Sequence, residues 1–151
     1  MCCKADKKLT KRYQKRKRRF SAWKVWNRGW ECLMSTCHNS KPGGYIEGPG
    51  HITSNRTRKR YRKDKGELVF AGMHWFAFEA DALVEAKQSI VDGYRVEVVR
   101  VMVDPKEVVA VGELWWNSGS GPYATCKGNV PRVGVSTAVE LLPKDWKKAT
   151  A

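Results

Sequence analysis

Residues 67–111 read ELVFAGMHWFAFEADALVEAKQSIVDGYRVEVVRVMVDPKEVVAV, and the fold turns on how this stretch is read. Leu68-Val69-Phe70 is a short apolar run, and Gly72-Met73-His74-Trp75-Phe76 is a second. From Glu79 to Asp92 the residues Leu83, Ala86, Lys87 and Ile90 share one helical face. Asp81 suits the first turn of that helix and Gly93 its left-handed stop. The segment from Tyr94 to Val103 is rich in valine, as strands are. Val96 and Val98 share one face, whereas Val99, Val101 and Val103 share the other. That change of phase predicts either a bulge or a strand covered on both sides. Asp104-Pro105 breaks the run, and Glu107 to Val111 resumes extended chain.

Outward from this block the signals thin. Asn117 to Gly121 reads as a loop, and Ala138 to Leu142 as a last strand before Pro143. Upstream, Ala22-Trp23-Lys24-Val25-Trp26 alternates as a strand does, with a turn at Asn27-Arg28-Gly29. Trp23, Trp26 and Trp30 also fit helical spacing. Gly43-Gly44 and Gly48-Pro49-Gly50 mark a long loop. The expectation is an α+β fold: a small mixed β-sheet, one main helix over about residues 79–92, and a basic, flexible N-terminal arm. By the same reading residues 1–20 are the arm and 21–146 a single domain with a basic loop at 55–66, followed by a tail at 147–151.

The 151 residues suit one domain, and 42% hydrophobic residues with seven tryptophans suit a packed core. No apolar run approaches the roughly 18–20 residues that span a bilayer. The N-terminus lacks the apolar region of a secretory signal, so the expected compartment is cytoplasmic, with no membrane partner. Charge is the strongest compositional signal. Residues 1–66 carry 20 Lys and Arg against 4 Asp and Glu, whereas residues 67–151 carry 9 against 11. The whole excess of +14 therefore lies in the first half and points to polyanionic partners.

Two clusters hold that excess. One runs from Lys4 to Arg19 and contains Lys15, Arg16, Lys17, Arg18 and Arg19 in succession. The other contains Arg58, Lys59, Arg60, Tyr61, Arg62 and Lys63. Leu9, Tyr13 and Phe20 are spaced loosely for one helix face, so the first cluster is expected to become helical when bound. Arginines interleaved with Tyr13 and Tyr61 suit phosphate contact with base stacking, and Trp115 beside the Gly/Ser loop suits a stacking platform. The bland alternative is a solvated arm that serves only solubility. No zinc-finger spacing, RNA-recognition signature or helix-turn-helix pattern is present to specify a sequence.

The five cysteines, Cys2, Cys3, Cys32, Cys37 and Cys126, do not form a tidy disulfide framework. Cys32, Cys37 and His38 lie close enough to consider as metal ligands, but only one pair exists and its members are four residues apart, so reduced thiols are the simpler reading. His74 is the candidate catalytic residue, because imidazole exchanges protons near neutral pH. Its apolar neighbours equally suit a core histidine bonded to backbone. No Walker loop, dinucleotide fingerprint, Gly-x-Ser-x-Gly or His-Glu-x-x-His occurs, so no cofactor is expected.

The order Gly72-x-His74, a helix with Ala82 and Ala86, then Val101-x-Val103-x-Pro105-x-x-Val108-Val109-x-Val111 resembles a block in small phage and prophage domains of unknown function. It is also similar to the C-terminal region of phage rapid-lysis B-type proteins. The resemblance covers about residues 22–28 and 67–142. The chain departs from it in lacking a cysteine just before Gly-x-His and in its greater basic charge. It implies a phage-encoded protein in the host-cell cytoplasm, contacting RNA, DNA, a ribonucleoprotein or an acidic host protein. A looser similarity to the ADP-ribosyltransferase fold implies a nucleotide-using enzyme, with His74, Trp75 and Glu140 as nearest candidates and Glu107 and Glu113 behind them. The first-strand histidine of that fold is missing, leaving Lys24 or Arg28 as unusual substitutes. The expected function is therefore nucleic-acid or ribonucleoprotein binding through basic arms. The alternatives are such an enzyme, or an inhibitor that binds an acidic host protein.

Overall fold

The computed structural model describes residues 2–29, 32–35, 45–46, 48–54, 58–62, 66–91, 96–115 and 130–151. The strands in chain order are β1 (Cys2–Ala5), β2 (Phe20–Gly29), β3 (Cys32–Ser35), β4 (Tyr45–Ile46), β5 (Gly50–Thr53), β6 (Arg58–Arg62), β7 (Gly66–Ala71), β8 (Met73–Phe76), β9 (Val96–Val103), β10 (Val108–Trp115), β11 (Arg132–Ser136) and β12 (Ala138–Leu141). The helices are α1 (Lys7–Gln14), α2 (Glu79–Val91) and α3 (Pro143–Thr150), and a 3-10 turn spans Pro105–Glu107. No helix among the described residues is long and apolar enough to cross a membrane.

The strands join one sheet in the order β5-β12-β9-β2-β8-β11-β10-β1-β7-β6, with β3 and β4 added beside β2. Every pairing among the described residues is antiparallel. The expected small mixed sheet with one main helix is thus corrected: the described residues form a twelve-stranded antiparallel sheet with three short helices. The helix at Glu79–Val91 lies where it was expected, but it turns Ala82 and Ala86 inward and leaves Leu83 and Lys87 of the expected face exposed, and α1 and α3 accompany it. The discrepancy has a simple cause. Strands of two to five residues, such as Gly50–Thr53 and Cys2–Ala5, carry too little local periodicity to be read before their partners are known.

One residue bends this sheet into a closed shape. Gly72 alone links β7 to β8, yet three strands, β11, β10 and β1, lie between them in the sheet order. Both halves can be satisfied only if β8, β11, β10, β1 and β7 curl into a ring, with the bent strand serving both ends. Gly72 makes the corner at φ +133°, a conformation L-residues rarely adopt. Cys3, Val69, Val133, Val135, Leu114 and Phe76 fill the ring's inner face, which continues under Ala82 and Ala86 of α2. The opposite face gathers Ala22, Trp26, Val99, Val101, Val103 and Val111 with Tyr13 of α1 and Ala149 of α3.

The phase change in β9 is therefore a strand covered on both sides. Its register against β2 runs unbroken from Phe20↔Val103 to Asn27↔Val96. Register shifts fall instead between Val108 and Ala110 in β10 and between Arg58 and Lys59 in β6.

The flexible N-terminal arm is the second correction. β1 lies inside the sheet, paired to β10 through Cys3↔Leu114 and to β7 through Cys3↔Val69. Helix α1 then takes over as a side-chain substitute for further strand. The Asp6 amide donates to Val111 O at 2.9 Å. The Thr10 hydroxyl accepts from Val111 N at 3.0 Å and donates to Val111 O at 3.1 Å, and Gln14 Nε2 donates to Val108 O at 2.9 Å. Positions 6, 10 and 14 recur every four residues, so a single helix face delivers all these bonds. Cations this dense repel one another, but because they are exposed to solvent that repulsion does not prevent docking.

Replacing Thr10 by Val keeps the shape and removes both bonds to Val111. We expect a loss of about 1–3 kcal/mol in unfolding free energy, read as a lower urea midpoint at unchanged slope.

Candidate nucleic-acid interface

From Lys7 to Arg19 the chain carries nine cations and no carboxylate. Asp6, just before the helix, caps it by accepting the Leu9 amide at 2.9 Å, while Lys11 and Arg12 sit in its last turn. Both placements suit the helix dipole. Leu9 and Tyr13 turn toward the sheet. Lys7, Lys8, Lys11, Arg12 and Lys15 are exposed, as are Lys17 and Arg18 in the turn that follows. Two cations are already engaged. The Arg16 guanidinium lies 4.0 Å from the Tyr13 ring centre and 4.9 Å from that of Phe20, and Arg19 is paired with Glu140.

Tyr13 is only 5% exposed, and its ring packs against Phe20 and Trp75. Its part is to hold α1 to the sheet, and the stacking role expected of it has no open ring face behind it. Trp115 is half-buried at the end of β10, opposite Cys2 of β1. The second cluster is extended chain: Arg58, Lys59, Arg60, Tyr61 and Arg62 form β6, an edge strand, where the sequence suggested a loop. Their side chains, and Lys63, lie outside the described residues. Arg60 and Lys4 are both register partners of Leu68, so only β7 separates the second cluster from β1, which leads into α1.

His74 is 1% exposed. Its Nδ1 lies 3.2 Å from Gly72 O and its Nε2 3.2 Å from Val69 O. A neutral ring has one N–H, so it serves only one of these carbonyls at a time. Burial lowers its pKa to about 4; contact with the Val69 carbonyl opposes the shift, and the charge of Lys24 adds to it. Lys24, also buried, donates from Nζ to His74 O. The histidine thus braces the Gly72 corner from inside the ring.

The residues implied by the ADP-ribosyltransferase similarity do not converge. His74 and Trp75 are consecutive on β8 and so face opposite sides of the sheet. The Trp75 ring occupies the space where a Cβ on Gly134 would stand. Glu140 binds Arg19, Glu107 binds His51, and Glu113 is exposed opposite Lys4. The side chain of Arg28 lies outside the described residues. So does that of Cys32 in β3, as do Cys37 and His38 altogether. Among the described residues no group of three His, Cys, Asp or Glu is placed to hold a metal ion.

Two clefts escaped sequence reading because register, not sequence proximity, builds them. One, of about 290 Å³, joins Arg19, His51, Asp104, Glu107 and Glu140. There His51 Nε2 lies 3.1 Å from Glu107 Oε1, and His51 stands opposite Glu140 across β5 and β12. The other, of about 370 Å³, opens between β9, α3 and the start of α2, with Trp23 in its wall. Comparison of the chain with protein-family models, with curated proteins and with solved structures finds no match.

The buried histidine makes stability depend on pH. The unfolded chain takes up this proton near 6.5 and the folded chain only near 4. The contribution is complete above about pH 6.5 and is lost as pH falls toward 4, by on the order of 3 kcal/mol in total. Urea unfolding across that range is expected to show this loss in the parent protein and a flatter profile in His74→Gln.

Proposed function

We propose that the protein binds nucleic acid through its phosphates, with the solvent face of α1 and the turn after it as the primary contact. The observation that carries this reading is a run of nine cations, uninterrupted by any carboxylate, four of them on a helix docked to β10 through Asp6, Thr10 and Gln14 and five in the segment that follows it. A helix ordered before the partner arrives avoids most of the ordering cost that a disordered arm meets on binding. The basic edge strand β6, two places from β1, extends the same electropositive region. An anionic membrane is a poorer partner, since interfacial helices insert an apolar face and the apolar residues of α1 already pack on the sheet. An RNA within a ribonucleoprotein presents the same phosphates. The reading requires no base-specific contact.

About five to seven phosphate contacts give a log–log salt slope near −5 and a loss on the order of 10³-fold between 50 and 200 mM salt. Fluorescence anisotropy with a labelled duplex and a labelled single strand measures this slope. The Lys8→Gln/Arg12→Gln double variant is expected to reduce the slope by about 2 without changing the fold. Affinity indifferent to salt and to this variant would overturn the proposal. Capture of one acidic protein in place of nucleic acid would favour the inhibitor reading instead.

A further inference from the structure

The cleft at Trp23 has a construction that the cation run on α1 does not explain. Trp23 in β2 stands directly opposite Arg100 in β9, so the indole and the guanidinium are cross-strand neighbours. Trp23 packs partly on the core and remains part-exposed in the cleft wall. Arg100 is held in place by Asp145, to whose Oδ2 its Nε and Nη2 both donate at 3.3 Å. Two of five guanidinium N–H groups are thereby used, leaving the others for a ligand oxygen. Lys144 and Lys148, one helical turn apart on α3, line the same cleft and are both exposed. Glu79 at the start of α2 also lines it.

Three cations against two carboxylates give this cleft a positive excess, whereas the His51 cleft sets Arg19 against three carboxylates. An anion is therefore drawn to the first and repelled from the second. A volume of about 370 Å³ lies at the small end of the roughly 300–1,000 Å³ of ligand pockets. A flat aromatic surface beside a fixed guanidinium and two mobile ammonium groups matches one chemistry, an aromatic base carrying a phosphate.

We infer that the cleft takes one nucleotide, its base against Trp23 and its phosphate between Arg100, Lys144 and Lys148. The nucleotide comes either free or as a splayed base of a single strand. The second source rests on the α1 reading, and the first stands without it.

The test uses the full chain. AMP and UMP are titrated while the Trp23 indole N–H resonance, identified by its absence in Trp23→Leu, is followed by NMR. In parallel, a short oligonucleotide is titrated single-stranded and as a duplex. Saturable movement of the Trp23 resonance by a mononucleotide, weakened about tenfold or more in Lys144→Glu/Lys148→Glu, supports the site with a free ligand. No mononucleotide response, but a similar loss confined to the single strand in that variant, supports the strand-borne source. The inference is overturned if mononucleotides leave Trp23 unmoved and the lysine variant either leaves single-strand affinity unchanged or weakens single strand and duplex equally. Because the mononucleotide titration does not involve α1, failure of the α1 reading is seen separately, as loss of the response to Lys8→Gln/Arg12→Gln.

Discussion

The corner at Gly72 is the constraint on which the rest of the molecule depends. A continuous chain must pair with β1 before the corner and with β11 after it, and those strands are separated by β10. Only a curled sheet reconciles the two demands. The curl encloses Cys3, Val69, Val133 and Val135, and sets the imidazole of His74 within reach of the carbonyl of the bend itself and of one on the strand before it. A buried ring serving one carbonyl at a time is a poor hydrogen-bonding solution in isolation, and it holds because the surrounding strands over-determine its position.

From that closure the electrostatic layout follows. Enclosing β1 brings residues 6–14 across β10, where Thr10 and Gln14 complete backbone bonds that a further strand would otherwise make. The apolar residues of α1 then have a place to go, and the cations are left on the outside. The two clefts show how the same composition yields opposite local fields. Around His51 the carboxylates outnumber Arg19, whereas around Trp23 the cations outnumber the carboxylates, one of which, Asp145, aims Arg100.

Sequence periodicity exposed the longer elements: α2, the valine strand β9, the start of β10 and the alternating centre of β2. Each of these carries several turns or alternations of its own. The remainder was hidden for physical reasons. β1 and β5 have four residues each, and β6 is so basic that its charge masks its extended chain. The cations of residues 7–19 were legible as charge, but the docking of α1 was not, since Thr10 and Gln14 look like ordinary polar positions until Val111 and Val108 stand opposite them. The Trp23 cleft depended on a cross-strand register that no local pattern encodes. A weak signal existed in Lys144 and Lys148, one helical turn apart after a proline that opens α3.

The enclosure of β1 also sets an order of events. Cys3 contacts Val133, 130 positions further along the chain, and such distant pairings form slowly because loop closure precedes any gain from contact. Until β10 and β11 are present, residues 7–14 have no backbone to dock against, and an eight-residue helix is not stable alone in water. The cationic face is therefore a property of the finished protein. A chain ending before residue 108 carries the same charges on residues 7–19 but cannot present them in this arrangement, so the ordered cationic face and completion of the fold arrive together.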